Sequence, residues 1–394
     1  VLMFTLVRKL QKNVLMFTLV ICVGLMSYSH LIHIDTPPKD QSSYTNSPST
    51  TAAPECTDEQ RKKVAHQLMF QDDEDFKNSA TKNLYGLKAR SENFQCPNPT
   101  WIKSFYEEEI STDTNDEDDD HHYFLGISVG CNKGHDAIRT ARMGLSSTDF
   151  DAQKWATELD KGRTDDKMDS GVCKQASSDQ AKIVSPKRAG EMHCIEPMPS
   201  TFSLLKRASD ALRHENQGLV LTHAAISSAQ GTAQFPSGEA AGREDIGIDF
   251  CNSSAERLPA QCEDVSVYSL EGYVAKYVKS KGPINILQID VEGWDFDVLF
   301  GASSVLDRTH YLEFEYHVSG KWNKLHLPDA VRLLDGKGFT CYWAGKGQLW
   351  RITECYFEVY NHWHGWSNVA CVHRSQKKLS EKMENLFLET LDAW

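Results

Sequence analysis

An α/β protein built on a parallel sheet is what the sequence predicts, and three stretches predict it. The first is 284–301, INILQIDVEGWDFDVLFG, where Ile284, Ile286, Leu287 and Ile289 form the short apolar run of a strand buried on both faces. That run stops at Asp290 and Glu292, Gly293 breaks it, and Trp294, Val298, Leu299 and Ala302 then recur at helical spacing. The second is an apolar strand over 123–129, followed by Gly130-Cys131-Asn132-Lys133-Gly134 and a helix over 135–143. The third is Met192-His193-Cys194-Ile195-Glu196-Pro197, a strand with a carboxylate at its end. Open α/β sheets bind their ligands at the carboxyl ends of such strands.

With 394 residues and 40% hydrophobic content the chain is globular, with enough apolar mass for a real core. Its net charge of −13 comes mostly from one run, Glu107, Glu108, Glu109, Asp113, Asp116, Glu117, Asp118, Asp119 and Asp120. Such a run repels phosphate backbones, so nucleic acid is excluded as a partner.

At the N-terminus, Arg8, Lys9 and Lys12 precede an apolar segment that begins at Val14. About 20 apolar residues span a bilayer, so 14–34 reads as a signal-anchor with 1–13 as a cytosolic tail. A cleaved signal peptide is the rival, because Ser27-Tyr28-Ser29 offers small residues at cleavage spacing. Either way the remainder enters the secretory pathway. With the anchor kept, it is a single-pass type II membrane protein, expected in the Golgi with its globular part in the lumen. Val-Leu-Met-Phe-Thr-Leu-Val occurs at both 1–7 and 14–20, which points to Met3 as a start. Of eleven cysteines, Cys22 lies in the apolar segment and ten lie beyond it. An oxidising lumen explains them as disulfides, and the nearest candidates in sequence are Cys56 with Cys96, Cys251 with Cys262 and Cys341 with Cys355. No Cys spacing suits zinc. Asn252-Ser253-Ser254 is a glycosylation sequon.

Residues 35–55, rich in Pro, Ser and Thr, form a flexible stem. From Cys56 the pattern turns helical: Thr57 and Gln60 have capping-box spacing, and 56–106 reads as a small cysteine-bearing helical module. The acidic run then makes 107–122 a linker, ending at His121 and His122.

The main domain spans 123–374. In its first turn Gly130 and Gly134 let backbone approach a ligand where a side chain would clash. The polar stretch 144–190 holds one recognisable helix, near Trp155 to Leu159. Glu196 either caps the helix that follows Pro199 or accepts hydrogen bonds from both hydroxyls of a ribose, and its place beside the glycine turn favours the second. Leu219 to Thr222 is the third strand, and Ala224 and Ala225 at its end leave room for a flat ring. Gly231 with Phe235-Pro236 reads as a hairpin. A further strand and helix over 265–278 lead to the central stretch, where Asp290 and Glu292 are either a helix cap or functional. In His310-Tyr311-Leu312-Glu313-Phe314-Glu315-Tyr316-His317 the charged residues alternate with apolar ones, so a strand puts Glu313, Glu315 and His317 on one face. That face is wet or functional, with function favoured for Glu315 and His317 near the strand end. A helix over 327–334 and strands over 339–343 and 368–372 follow. Trp343, Trp350, Trp363, Trp366, His362 and His364 could stack on sugars, but core packing is the expected role. Residues 375–394 form a terminal amphipathic helix.

The segment Gln288-Ile289-Asp290-Val291-Glu292-Gly293, followed by Val298, Leu299, Gly301 and Ala302, resembles the signature of the FkbM-type methyltransferases. The resemblance covers roughly 123–374 and is thin in 144–190 and in the loop before Val265. It implies a Rossmann-like seven-stranded methyltransferase sheet, S-adenosylmethionine as donor, and O-methyl transfer. With a luminal enzyme on a stem, the implied acceptor is a glycan hydroxyl. The cofactor residues it implies are Ser128, Gly130, Asn132, Gly134, Glu196, Ala224 and Ala225. Ser128 stands where the family carries an acid, a departure that removes a charge near the methionine end of the cofactor. Asp290, Glu292, Glu315 and His317 are the catalytic candidates, acting as base or holding a divalent metal; the residues do not choose between these. Two other classes remain. A non-catalytic glycan-binding protein on the same fold would explain Ser128 and the tryptophans. A nicotinamide-dependent oxidoreductase fits less well, because 130–134 lacks the G-x-G-x-x-G spacing.

Overall fold

The computed structural model describes residues 52–69, 99–112, 123–161, 183, 187–253, 262–317, 319–356 and 367–393. The expected anchor, most of the stem, residues 113–122, Cys22, Cys96, Cys173 and the aromatics at 362–366 lie outside them. Among the described residues no helix is long and apolar enough to cross a membrane.

Two helices, α1 (Asp58–Met69) and α2 (Thr100–Thr112), precede the sheet. The capping box forms as expected: Thr57 N donates to Gln60 Oε1 at 3.0 Å, and Gln60 N to Thr57 Oγ1 at 3.1 Å. Then come β1 (Phe124–Val129), α3 (His135–Gly144), α4 (Ala152–Lys161), β2 (Gly190–Glu196), α5 (Pro199–Leu212), β3 (Leu219–His223), β4 (Ala225–Ser227) and β5 (Gly231–Pro236). A four-residue α6 (Phe250–Ser253), β6 (Cys262–Ser269) and α7 (Leu270–Tyr277) lead to the central β7 (Ile284–Ile289). After it follow α8 (Asp295–Phe300), α9 (Ser303–Leu306), β8 (Thr309–Tyr316), α10 (Leu327–Gly336), β9 (Phe339–Ala344), β10 (Leu349–Arg351), β11 (Ser367–His373) and α11 (Lys377–Asp392).

The main sheet has eight strands in the order β10-β9-β11-β8-β7-β1-β2-β3. β3, β2, β1, β7 and β8 run parallel, while β11 is antiparallel to both β8 and β9. The strand order reverses between β1 and β7, so a crevice opens beyond their carboxyl ends. The apolar run read from the sequence is the middle of this sheet: Ile284, Ile286, Leu287 and Ile289 are all buried.

Two expectations are corrected here. The sheet has eight strands, not seven, because a turn stabilised by Gly345 N to Gln348 O (2.9 Å) folds Leu349–Arg351 back onto β9 as an edge strand. Gly231–Pro236 is not half of a local hairpin with its predecessor: β4 and β5 flank β6, parallel and antiparallel respectively, in a separate three-stranded sheet. That sheet carries its own apolar cluster of Met198, Ala225, Phe235, Ile246, Val265 and Val267.

Four disulfides join described residues. Cys251 pairs with Cys262 as expected, but Cys56 pairs with Cys355 and Cys341 with Cys371. Cys341 and Cys371 are directly opposed on β9 and β11, so antiparallel register and not chain proximity selects them. The fourth, Cys131–Cys194, ties the glycine turn to β2.

Beyond the far edge of the sheet, α1 and α11 meet through Gln67, whose Nε2 donates to the carbonyls of Thr390 (3.0 Å) and Leu391 (3.2 Å). Its Oε1 accepts from Trp350 Nε1 at 2.9 Å. Trp343 and Trp350 are buried, which is the packing role expected of them.

Candidate active site

The turn after β1 is shaped by backbone. Gly130 has φ 73°, and a Cβ there would overlap the Asp290 carbonyl oxygen at the end of β7. Gly130 N and Cys131 N both donate to Ile195 O, at 2.9 and 3.0 Å, and Asp290 N donates to Val129 O at 2.9 Å. β1, β2 and β7 are thereby held together at one end, and their carboxyl-end residues converge on one cleft. Its wall includes Gly130, Asn132, Glu196, Ala224, Ala225, Asp290 and Glu292, which are seven of the eleven residues singled out in the sequence.

Glu196 is buried, and both of its oxygens have a backbone donor: Asn132 N at 2.8 Å and Met198 N at 2.9 Å. Met198 is the residue that precedes α5, which receives no side-chain cap, so Glu196 braces the entry to that helix without capping it. Each carboxylate oxygen keeps a second lone pair for a ligand hydroxyl. Burial pushes the Glu196 carboxyl up to about 7, against the two backbone donors that lower it, and the charge of Asp290 adds to the rise. Beside it, Asn132 sits at φ 44° with its Oδ1 buried and unpartnered, while its Nδ2 reaches Arg243 O at 3.4 Å.

The helix-cap reading of Asp290 and Glu292 does not hold: α8 begins after Trp294 and receives no side-chain cap. Glu292 instead occupies the left-handed region at φ 55°, followed by Gly293 at φ 90°. For a side chain with a Cβ this costs on the order of 1–2 kcal/mol, which the surrounding backbone must hold. A Cβ on Gly293 would overlap Ser319 O, and Lys321 N donates to Gly293 O at 2.9 Å. The carboxyl end of β8 is thus pinned against this turn.

On β8 the structure separates three residues that alternation had placed together. Glu313 is fully occupied: Oε2 accepts from Tyr311 OH and Oε1 from Asn368 Nδ2, both at 3.1 Å. Tyr311 OH in turn accepts from Trp101 Nε1 at 3.1 Å. Glu315 and His317, two residues apart at the strand end, are buried and have no such backing. The wet-face alternative therefore fails for all three.

Asp290 and Glu315 influence each other: the contact holds Asp290 down and pushes Glu315 up, and burial is the larger cause of the rise at Glu315. Burial pushes Asp290 up to about 6 and Glu292 up to about 9, and neighbouring carboxylates push Glu292 further in the same direction. Asp295, fully buried on α8, rises to about 8 for the same reasons. Burial holds the His317 imidazole down at about 4. Asp297, by contrast, is paired with Lys321 Nζ at 2.5 Å.

Ser128 and Gly134 are not on the cleft wall. Ser128 is buried within β1, opposite Cys194 and Gln288. Gly134 starts α3 at φ 72°, where a Cβ would press on Leu205 and Trp155. Glu315 and His317 lie behind the wall residues. Sequence reasoning missed the opposite wall: Phe235 from β5, and Arg243, Ile246 and Ile248 from the loop that follows it, with Trp294 beyond Gly293. That loop has no apolar periodicity, and only its Ile-x-Ile spacing hinted at a shared face.

Residues 169–341 match the family model Methyltransferase FkbM domain. The matched stretch runs from before β2 into β9, so it contains Glu196, Asp290, Glu292, Glu315 and His317. The mixed α/β architecture with its large, mostly parallel sheet agrees with a methyltransferase fold. No curated protein and no solved structure matches the chain.

The residues of the FkbM domain and the adjoining turn fit S-adenosylmethionine. The cleft offers an orphaned acceptor in Asn132 Oδ1, free lone pairs on Glu196, and small or apolar walls at Ala224, Ala225, Ile246 and Ile248. Glu196, Asp290 and Glu292 all line it, and such a wall attracts a cationic ligand and repels a pyrophosphate. Lys133, the nearest lysine, has its Nζ on Gly242 O at 3.0 Å and on Glu244.

Proposed function

We propose that the chain is an S-adenosylmethionine-dependent O-methyltransferase of the secretory pathway, acting in the Golgi lumen on a glycan hydroxyl. One observation carries the reading: the glycine turn, Glu196 and the unpartnered Asn132 Oδ1 meet in a cleft walled by carboxylates, inside or beside an FkbM domain. When bound, S-adenosylmethionine supplies a methyl group on a positively charged sulfur, open to displacement by an oxygen nucleophile.

The chain does the rest by placement. Gly130 lets backbone approach the ligand, and Glu196 holds the ribose hydroxyls through its spare lone pairs. Ala224, Ala225, Ile246 and Ile248 provide the apolar slot for the base, and Asn132 Oδ1 accepts from the ammonium group. An acceptor hydroxyl entering between Asp290 and Trp294 meets a carboxylate at the end of the central strand. Asp290 is placed to take its proton.

The luminal placement rests on Arg8, Lys9 and Lys12 ahead of the apolar segment, and on four disulfides, which an oxidising compartment maintains. Calorimetry on the purified full chain tests the cofactor: S-adenosylmethionine and its demethylated product bind and NAD does not, and binding of NAD alone overturns the reading. Protease treatment of intact microsomes tests the topology. The globular part survives until detergent is added, and its digestion without detergent refutes a luminal orientation.

A further inference from the structure

Behind the cleft wall, Glu292, Glu315 and His317 each present one donor atom, and these atoms all lie within 4.8 Å of one another. Two carboxylates and an imidazole at such separations can close around one small ion at metal–ligand distances of about 2.0–2.2 Å with little movement. Closeness of acids alone would not establish a site, and a second observation points to a ligand. His317 Nε2 is buried without a hydrogen-bond partner, on a residue only 8% exposed, although it lies 3.2 Å from Glu315 Oε2.

Further carboxylates surround the three residues. Asp295 is buried beside them, Asp290 lies on the cleft wall, and Glu244, Asp245 and Asp136 act on the cluster while paired with Lys133, Arg243 and Arg139. Among the described residues no lysine or arginine is ion-paired with Asp290, Glu292, Asp295 or Glu315; the nearby Lys133 and Lys321 are paired with Glu244 and Asp297. Buried carboxylates in such numbers are stable only if they keep protons or gain a cation.

We infer that Glu292, Glu315 and His317 form a binding site for a divalent cation of the Mn2+ type, seated between β8 and the turn that follows β7. Mixed oxygen and imidazole donors suit Mn2+ better than Ca2+, which takes oxygen ligands in larger number. Glu292 faces both the cluster and the cleft, so the ion would border the place where the acceptor hydroxyl meets Asp290. Its use there, lowering the pKa of that hydroxyl, rests on the methyl-transfer reading; its binding does not. One local feature moves with it: the 3.3 Å contact from Ser319 N to His317 Nδ1 opens, because ligation by Nε2 puts the ring proton on Nδ1.

The test is titration of the chelator-treated full chain with Mn2+, following free Mn2+ by electron paramagnetic resonance, with calorimetry against the demethylated cofactor on the same preparations. The expected result is one Mn2+ per chain, weakened about tenfold or more by Glu315→Gln and by His317→Gln. Glu196→Gln leaves it unchanged. Thermal melts confirm folding, and Glu292→Gln, at the more open edge, serves if Glu315→Gln does not fold. Absence of a stoichiometric site, or Mn2+ binding that survives all three ligand variants, overturns the inference. Loss of cofactor binding with Mn2+ binding intact sinks the methyltransferase reading and leaves the metal site standing; the converse result does the opposite.

Discussion

Glu196→Gln tests the nucleotide half of the site with the least change of shape. In the wild type both carboxylate oxygens accept a backbone N–H, from Asn132 at 2.8 Å and Met198 at 2.9 Å, on a side chain that is 5% exposed. The amide keeps one acceptor and turns a donor toward the other N–H. It also removes the charge that strengthens both ribose hydrogen bonds. The loss in cofactor binding is roughly 2–4 kcal/mol, about 30-fold to nearly 1000-fold. Calorimetry with the demethylated cofactor measures it. The pH dependence supplies an independent check, because Glu196 is raised from 4.5 to about 7 by burial, with Asp290 adding to the rise. Ionised Glu196 is the binding form, so wild-type affinity falls as pH drops through 7, by roughly tenfold between pH 8 and pH 6. Stability has the opposite sign. The contribution of a raised carboxyl is fully present below its unfolded value and is lost as pH rises through 7, so the ligand-free protein melts lower at pH 8 than at pH 5. Glu196→Gln flattens its share of both slopes. Equal affinity of wild type and variant, in folded protein with unchanged pH dependence, refutes the ribose assignment.

Three other perturbations separate the remaining roles. Asp290→Asn keeps the shape at the end of β7 while removing the proton acceptor, so turnover on a glycan acceptor is abolished and affinity for the demethylated cofactor changes little. Replacing Cys131 and Cys194 together by Ala frees the glycine turn from β2; the bond closes 63 residues of chain, so urea unfolding shows a loss of about 2–4 kcal/mol. Glu384→Gln leaves the buried Arg351 guanidinium without its neutralising carboxylate 2.5 Å away, facing only neutral oxygens such as Glu55 O at 3.2 Å, and lowers stability by about 3 kcal/mol in the same assay while leaving cofactor affinity untouched.

What the sequence made legible was local. The apolar run 284–289, the glycine turn at 130–134 and the acid at 196 each specify a strand end through nearest-neighbour chemistry, and the structure puts all three ends on one cleft. What it hid depends on residues far apart along the chain. Alternation placed Glu313, Glu315 and His317 on one face, but only β11 pairing beside β8 brings Asn368 to Glu313 and so gives that acid a structural job. Two of the three candidate cysteine pairings failed in the same way. Cys56 lies 40 positions from Cys96 in the chain, yet its partner is 299 residues away, because Glu55 O meets Arg351 at the edge of the sheet. The opposite wall, Arg243, Ile246 and Ile248, comes from a loop whose position is set by the small sheet beneath it, and no periodicity announces that.

The two halves of the site also differ in how they are stabilised, and this explains why one was easier to read. The half around Glu196 is held by covalent and backbone means: Cys131–Cys194, the paired donations to Ile195 O, and the close approach of Gly130 to Asp290. Such constraints require particular residue types, so they leave marks in the sequence. The acidic half is held in a conformation that costs energy, with Glu292 at φ 55° and Asp290, Glu292, Asp295 and Glu315, two of them buried, lacking a lysine or arginine partner among the described residues. Nothing in local propensity favours that arrangement. Energy stored against a missing positive charge is recovered when a cation arrives. A sulfonium in the cleft and a divalent ion behind it would recover it in two separate steps. The Glu196 and Glu315 variants distinguish them, since each removes one step and leaves the other in place.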